Sequence, residues 1–208
     1  MAERQIFIPS GSLKLEALLD LVDGTAAVVV THPHPLYSGD MENGVVESIV
    51  RAYRSKGYST LRFNFRGVGM SQGRFDEGRG EQEDVRSAIQ FLASHGKTKV
   101  DLAGYSFGAW VNARAMPTHP LVNGLLLVSP PVAFLDFSGV GILAPLKLVV
   151  AGSHDQFAPP EHIHALLPAW NPEARFEVIA GADHFYWGYT KKLETILADF
   201  LGGDDASR

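Results

Sequence analysis

The stretch Gly104-Tyr105-Ser106-Phe107-Gly108 decides the fold of this chain, because it places a serine between two glycines. It lies where an apolar, strand-like run over 100–103 ends and a helix-compatible run over 107–116 begins. A strand that turns this tightly into a helix strains the serine backbone, and side chains at the two glycine positions would collide with their neighbours. The pattern therefore predicts a nucleophile elbow, with the Ser106 hydroxyl at the N-terminus of a helix, where backbone N–H groups can meet an anion.

Strand-like and helix-like patterns alternate on both sides of this elbow. An uninterrupted β-branched run over 26–31 is typical of a strand buried on both faces of a parallel sheet. Two strands joined by a turn precede it, and further strands and helices follow; the strands are predicted at 4–8, 13–19, 60–65, 124–128, 146–151 and 175–179, and the helices around 46–53, 85–92, 161–167 and 189–200. The sequence thus predicts an α/β fold, a three-layer αβα sandwich whose mostly parallel sheet has about eight strands.

The length of 208 residues favours one domain, since it supports one buried core but not two comfortable ones. We expect this domain to span residues 1–201, with a polar, disordered tail over 202–208. Only the 17 residues 129–145 lie between the strand that ends at Val128 and the next strand. That segment is too short for a helical lid, so the sequence predicts that the molecule has no lid domain.

Composition excludes several classes of function. The net charge of −5 lacks the basic excess that a phosphate backbone requires, so we expect no nucleic-acid partner. The absence of cysteine excludes disulfides, a thiolate nucleophile and cysteine-ligated metals. No apolar run reaches the ~18 residues that span a bilayer, and residues 1–10 lack a basic segment followed by an apolar stretch. We therefore expect a cytoplasmic protein without a membrane span.

A serine hydroxyl needs a neighbouring base, and the base needs an acceptor that fixes its tautomer. Asp155 follows the predicted strand at 146–151, and His184 follows the one at 175–179. Because the carboxyl ends of parallel strands meet at one edge of a sheet, we expect both side chains near Ser106. The sequence predicts a catalytic triad of Ser106, Asp155 and His184. Asp183 is the rival acid, but its adjacency to His184 makes a good triad geometry difficult.

The elbow, the loop acid and the late histidine together resemble the α/β-hydrolase superfamily, from the strand at 26 to the last helix. Three further stretches narrow the resemblance, namely His32-Pro33-His34-Pro35-Leu36-Tyr37, residues 64–73 and Gly181-Ala182-Asp183-His184-Phe185. They are similar to stretches of the small, lidless bacterial serine hydrolases described as esterases, whose substrates are generally unsettled. The resemblance implies the same three residues as the triad.

An oxyanion hole is the pair of N–H donors that holds the negative oxygen of a tetrahedral intermediate. It should combine the N–H of Phe107 with one from the loop after the strand at 26–31. The prolines of this loop have no N–H, which leaves His34 and Leu36 as candidates. Similarity to hydrolases with a His-Gly-x-Pro loop favours His34, whereas a double-proline turn could present Leu36, so both stay open.

Two patterns suggest a bound metal or cofactor, and each is incomplete. His32 and His34 are spaced to point the same way, but no third or fourth metal ligand follows at a clear spacing. Glycines over 67–73 resemble a dinucleotide fingerprint, but no helix begins within that loop. We expect no metal and no cofactor.

These observations favour a serine hydrolase, most directly a carboxylesterase that cleaves small or short-to-medium acyl esters through an acyl-serine intermediate. An acyl thioesterase would use the same triad, and a non-catalytic binding or scaffold protein of this fold is the alternative from another class. An apolar substrate wall is predicted from five aromatic residues, Tyr37, Phe134, Phe137, Phe157 and Phe185. We expect a small-molecule substrate and a monomer or homodimer.

Overall fold

The computed structural model describes residues 3–115 and 120–203. Strands and helices alternate along most of it, in the order β1 (Arg4–Ser10), β2 (Leu13–Asp20), β3 (Ala26–Thr31), α1 (Gly44–Arg54), β4 (Ser59–Phe63), α2 (Arg79–Ser94), β5 (Lys99–Tyr105), α3 (Phe107–Ala115), β6 (Val122–Val128), β7 (Leu146–Gly152), α4 (Pro160–Trp170), β8 (Arg175–Ile179) and α5 (Thr190–Gly203). A 3₁₀ turn over Pro35–Tyr37 follows β3.

The eight strands form one sheet in the order β1-β2-β4-β3-β5-β6-β7-β8. The pairs β1–β2 and β2–β4 are antiparallel, whereas every pair from β4–β3 to β7–β8 is parallel. The predicted fold class, a mostly parallel sheet of about eight strands with an antiparallel start, is confirmed. The elbow strand β5 lies at the centre of the sheet, which places the residues after it in the middle of the molecule.

The sheet separates two apolar cores. Strand β3 contributes to both cores, because Val29 packs on one face and Val28 and Val30 pack on the other. Its run of small and β-branched residues is therefore apolar at every position that faces a core. Helices α2, α3 and α4 cover the first face, and α1 and α5 cover the second. Since residues of every central strand are buried on both faces, side chains at the strand ends are the ones free to form a site.

Several observed boundaries differ from the predicted ones, among them the ends of β4 and α5. Strand β4 ends at Phe63 rather than at residue 65, and the chain leaves the sheet after Asn64, whose N–H still donates to the Glu16 carbonyl on β2 at 2.9 Å. The N–H of Phe65 donates to the His32 ring at 3.0 Å instead of to a neighbouring strand. Helix α5 continues to Gly203, two residues into the predicted tail, while residues 116–119 and 204–208 lie outside the described ranges.

Residues 129–145 form turns and irregular structure without a helix, so the prediction of no lid domain is confirmed. One edge of the sheet, which no lid covers, is therefore formed by the carboxyl ends of its parallel strands, including β3, β5, β6, β7 and β8. Over the described ranges, no helix has both the length and the apolar character needed to cross a bilayer.

Candidate active site

The segment between β5 and α3 has the geometry that the sequence predicts. Ser106 has a φ of 54°, in the left-handed region that residues with a side chain rarely adopt. A Cβ on Gly104 would lie 2.7 Å from the Ala109 backbone nitrogen, and one on Gly108 would lie 2.5 Å from Thr31 Oγ1. Only glycine fits either position. The Ser106 N–H donates to the Val128 carbonyl on β6 at 2.9 Å, which holds the turn against the neighbouring strand.

The three residues predicted as a triad are brought together by the ends of β5, β7 and β8. Ser106 Oγ lies 2.9 Å from His184 Nε2, and His184 Nδ1 lies 2.9 Å from each carboxylate oxygen of Asp155. A carboxylate can only accept, so the proton of the neutral imidazole resides on Nδ1. The lone pair of Nε2 then faces the Ser106 hydroxyl, which is the arrangement that a general base requires.

The Asp155 carboxylate is buried and well supplied with donors. Besides His184, the backbone N–H groups of Phe157 and Ala158 donate to Oδ1 at 3.0 and 2.8 Å. Burial by itself raises the pKa of Asp155, but the hydrogen bonds from His184, Ser129 and Ala158 outweigh it. The pKa therefore lies below its ordinary value, and the side chain stays ionised opposite the imidazole.

The hydroxyl groups of Tyr105, Ser129 and Tyr186 hold His184 and Asp155 in place. The sequence alone does not indicate this role for the three residues. The Tyr105 hydroxyl donates to the His184 carbonyl at 2.8 Å. The Tyr186 hydroxyl lies 2.8 Å from Ser129 Oγ. Because Ser129 also hydrogen-bonds the Asp155 carboxylate, Ser129 must donate to Asp155, and Tyr186 then donates to Ser129. Ser129 follows a strand end, as the three predicted residues do, and that position was the signal available in the sequence.

Asp183, the rival acid, is engaged elsewhere. Its Oδ1 accepts from the Phe185 N–H at 3.0 Å and so closes the turn that contains His184. No hydrogen bond joins Asp183 to the His184 ring within the described ranges. Among the residues that the structure describes, Asp155 alone contacts the imidazole Nδ1.

The two candidate oxyanion donors of the His-Pro-His-Pro loop differ in their surroundings. The Leu36 N–H donates to His34 Nδ1 at 3.2 Å and is therefore already used. The backbone N–H groups of His34 and Phe107 have no acceptor in the part of the chain that the structure describes. His34 packs against the Phe107 ring, with 4.8 Å between ring centroids, so the two residues lie side by side next to Ser106.

His32 is a structural residue. It is fully buried; its Nδ1–H donates to the Pro33 carbonyl at 2.7 Å, and its Nε2 accepts from the Phe65 N–H at 3.0 Å. Burial lowers its pKa to about 4, so the ring is neutral, and neither ring nitrogen has a lone pair left for a metal. No group of three or more potential metal ligands occurs within 3–115 and 120–203.

A cavity of about 570 Å³ opens beside Ser106 and His184. Four of the five aromatic residues predicted as its wall line it, namely Tyr37, Phe134, Phe157 and Phe185. The fifth, Phe137, does not: it is buried and packs against Trp170, with 5.4 Å between ring centroids. Phe137 was predicted wrongly because its neighbours in the irregular 129–145 segment turn outward while its own ring completes the core.

The fold and this site define a class. A profile of the Alpha/beta hydrolase family matches residues 28–170, and the chain belongs to that family. The resemblance inferred from the sequence is thereby confirmed.

The chain is also similar to individual proteins over most of its length. An uncharacterized protein of Rickettsia prowazekii is 33% identical over 183 residues, which cover 83% of this chain and 77% of that protein. An alpha-beta serine hydrolase homologue from Coxiella burnetii has a TM-score of 0.88 and 33% identity, covering 96% of this chain and 97% of its own. A serine hydrolase without lid from Xanthomonas campestris has a TM-score of 0.86 and 30% identity, covering 97% and 94%.

Proposed function

We propose that this protein is a serine carboxylesterase in which Ser106 is the nucleophile, His184 the general base and Asp155 the acid that orients it. One observation carries the proposal: an unbroken series of hydrogen bonds from the Ser106 hydroxyl through His184 to Asp155 ends at an open cavity. Each hydrogen bond has the polarity that nucleophilic attack needs.

The reaction begins when the substrate carbonyl lies over Ser106 Oγ. His184 Nε2 takes the hydroxyl proton as Oγ forms a bond to the carbonyl carbon, and the carbonyl oxygen becomes an oxyanion. The imidazolium then returns this proton to the leaving alcohol as the C–O bond breaks, which leaves an acyl-serine. A water molecule, deprotonated by the same nitrogen, attacks the acyl carbon and releases the acid, and Ser106 recovers its proton.

The oxyanion is held by the N–H groups of Phe107 and His34 in this proposal. Both N–H groups lack an acceptor in the described ranges, and both residues flank Ser106. Leu36, the other candidate from the sequence, is disfavoured because its N–H is already donated to His34 Nδ1. Losing one such donor costs about 10²-fold or more in rate, so this pair contributes as much as a member of the triad.

An ester is favoured over a coenzyme A thioester by the charge of the cavity. Among its lining residues, all from the described part of the chain, there is no lysine or arginine to meet the phosphates of coenzyme A. A scaffold role is disfavoured because a binding protein has no need for an aligned serine, imidazole and carboxylate.

The nucleophile is tested with a fluorophosphonate probe and intact-mass measurement. We expect one adduct on the wild-type protein and none on Ser106→Ala, with the far-UV circular dichroism of the variant unchanged. Absence of an adduct on the folded wild-type protein would overturn the enzymatic proposal. Vinyl acetate, a small ester without a ring, then gives the basal rate of hydrolysis.

The acid is tested with two single-atom changes in neighbouring loops. In Asp155→Asn, the side chain no longer holds the proton on His184 Nδ1, so the ring can adopt the wrong tautomer. We expect kcat to fall by about 10³-fold or more. Asp183→Asn is the matched control and should stay within about threefold of wild type, because over the described ranges the Asp183 carboxylate bonds only the backbone of its own turn. A larger loss in Asp183→Asn than in Asp155→Asn would reverse the assignment.

A further inference from the structure

We propose that the cavity binds a neutral ester that carries an aromatic ring, and that Tyr37 and Phe134 form the wall that recognises this ring. The inference deepens the proposed function and rests on it, because it names the substrate class of the same site.

The charge of the cavity favours a neutral substrate. Its lining contains no aspartate, glutamate, lysine or arginine among the described residues. The one lining histidine outside the triad, His34, has its pKa lowered by burial and is neutral. A carboxylate, phosphate or ammonium group on the substrate would lose its water without gaining a partner, which is costly. The cavity therefore selects an uncharged substrate.

The side chains at the mouth of the cavity are aromatic. Four aromatic residues line it and remain exposed; their exposed fractions are 70% for Tyr37, 49% for Phe134, 37% for Phe157 and 55% for Phe185. A continuous exposed apolar patch of this kind marks a binding surface. Aromatic side chains also have few rotamers, so they lose little entropy when a ligand covers them.

The arrangement of these rings favours an aromatic ligand. They follow one another at centroid distances of 6.2 Å for Tyr37–Phe134, 5.7 Å for Phe134–Phe157 and 6.5 Å for Phe157–Phe185, with interplanar angles of 60°, 87° and 76°. Such a series of edge-to-face contacts presents both ring faces and ring edges to the cavity. These are the two surfaces against which another aromatic ring packs best. An alkyl chain of equal area gains only the free energy of burying its apolar surface.

The aromatic wall lies close to the reacting atoms. Phe157 packs on the His184 ring, with 4.8 Å between centroids, and His34 lies between Tyr37 and Phe107 at 4.9 and 4.8 Å. The aromatic wall therefore begins at the triad on one side and at the proposed oxyanion donors on the other. A substrate ring two or three bonds from the ester carbonyl reaches it.

The experiment compares matched pairs of neutral esters that differ only in aromaticity. Methyl 3-phenylpropanoate and methyl 3-cyclohexylpropanoate test a ring on the acyl side, and benzyl acetate and cyclohexylmethyl acetate test a ring on the alcohol side. Each ratio of kcat/KM is divided by the ratio of the hydroxide-catalysed rates, which removes intrinsic reactivity. The cyclohexyl group is the more apolar of the two, so hydrophobic burial alone predicts the opposite order.

We expect the phenyl ester to be preferred by about three- to tenfold on at least one side. Tyr37→Leu and Phe134→Leu should each lower this preference toward one. Phe7→Leu is the matched control: Phe7 is 48% exposed on the edge strand β1, far from the cavity, and the preference should persist unchanged. A carboxylate in the para position of the phenyl ring should abolish turnover.

Three outcomes would overturn the inference while leaving the esterase proposal intact, provided that vinyl acetate is hydrolysed and the fluorophosphonate adduct forms. The first is an equal or better rate for the cyclohexyl ester on both sides. The second is a phenyl preference that survives in both Tyr37→Leu and Phe134→Leu. The third is rapid turnover of the para-carboxylate ester. If vinyl acetate is not hydrolysed and no adduct forms, the esterase proposal itself fails.

Discussion

Ser129 and Tyr186 both have a positive φ, 45° and 56°, which is strained for residues with a side chain. This strained backbone brings their hydroxyl oxygens within 2.8 Å of each other, and the Ser129 hydroxyl also hydrogen-bonds the Asp155 carboxylate. Neither residue touches the cavity, so both are positioning residues that act through Asp155. A strained backbone that directs the Ser129 hydroxyl to Asp155 and the Tyr186 hydroxyl to Ser129 keeps the acid fixed while His184 gains and loses its proton.

Removing these hydroxyls should lower kcat with little change in KM. We expect a loss of about fivefold in Tyr186→Phe, and about tenfold or more in Ser129→Ala, whose hydroxyl bonds an ionised group. The double variant should lose no more than Ser129→Ala alone, because Tyr186 acts through Ser129. Steady-state kinetics on vinyl acetate measures all three.

Tyr53→Phe is the control for this pair. Tyr53 is equally buried, and its hydroxyl bonds Asp101 at 3.2 Å on the α1 side of the sheet, away from the triad. This variant should lose stability but not kcat. If Tyr186→Phe also lowers the melting temperature while leaving kcat unchanged, its role is structural only.

His32 makes the stability of the fold dependent on pH. Its pKa is about 4 in the folded protein because of burial, against about 6.5 for a histidine in the unfolded chain. Between these values the unfolded state binds the proton and the folded state does not, so stability falls as the pH falls. From pH 7 to pH 5, this one side chain should remove about 2 kcal/mol from the free energy of unfolding.

Urea denaturation of His32→Gln measures this effect, since glutamine keeps an amide for the Pro33 and Phe65 contacts but does not titrate. The loss of stability between pH 7 and pH 5 should be smaller in this variant by about 2 kcal/mol, whatever its stability at pH 7. An identical slope in His32→Gln and wild type would contradict the assignment of a buried neutral ring.

At the scale of the element, the turn from β5 to α3 depends on the close approach of α3 to β5. In Gly104→Ala, the new methyl group would lie 2.7 Å from the Ala109 nitrogen and from Asn112 Nδ2, so α3 must shift. Overpacking of this kind costs about 1–3 kcal/mol of stability, and misplacing the nucleophile by about 1 Å costs about 10²-fold in rate. We expect both losses in this variant.

Gly44→Ala is the matched control for the elbow. Gly44 begins α1, and a Cβ there would meet no atom of another described segment within 4 Å. Its activity should equal that of wild type and its stability should be equal or slightly higher, because alanine favours the helix. Chemical denaturation and ester hydrolysis on the two variants separate a local effect of the elbow from a general effect of adding a methyl group. Wild-type activity in Gly104→Ala would contradict this prediction, because the turn would then accommodate the added methyl group without displacing Ser106.

At the scale of the whole molecule, the sequence predicts most of the architecture because strand and helix periods are local. The run over 26–31 shows burial on both faces, and the two glycines around Ser106 reveal the elbow. The site is less predictable, since it depends on packing between distant segments. Ser129 and Tyr186 are 57 residues apart, and nothing local indicates that their hydroxyls meet.

Packing also decides between residues of the same kind. Phe134 and Phe137 are three positions apart in one irregular segment, yet Phe134 lines the cavity and Phe137 packs on Trp170. His34 and Leu36 are equal candidates for the second oxyanion donor by sequence. The His34 ring favours one of them by accepting the Leu36 N–H, a contact that only the folded loop shows.

The absence of a lid predicts how the whole molecule responds to the physical state of its substrate. A helical lid has to open before an aggregated ester can enter, and enzymes that carry one accelerate sharply at a lipid surface. Here residues 129–145 contain no helix, and the aromatic wall beside Ser106 is exposed. The hydrolysis rate with tributyrin, followed by acid release at constant pH, should therefore rise as a single hyperbola and continue without a jump through the solubility limit. An abrupt increase above that limit would mean that residues 129–145 cover the site in solution and open at a surface.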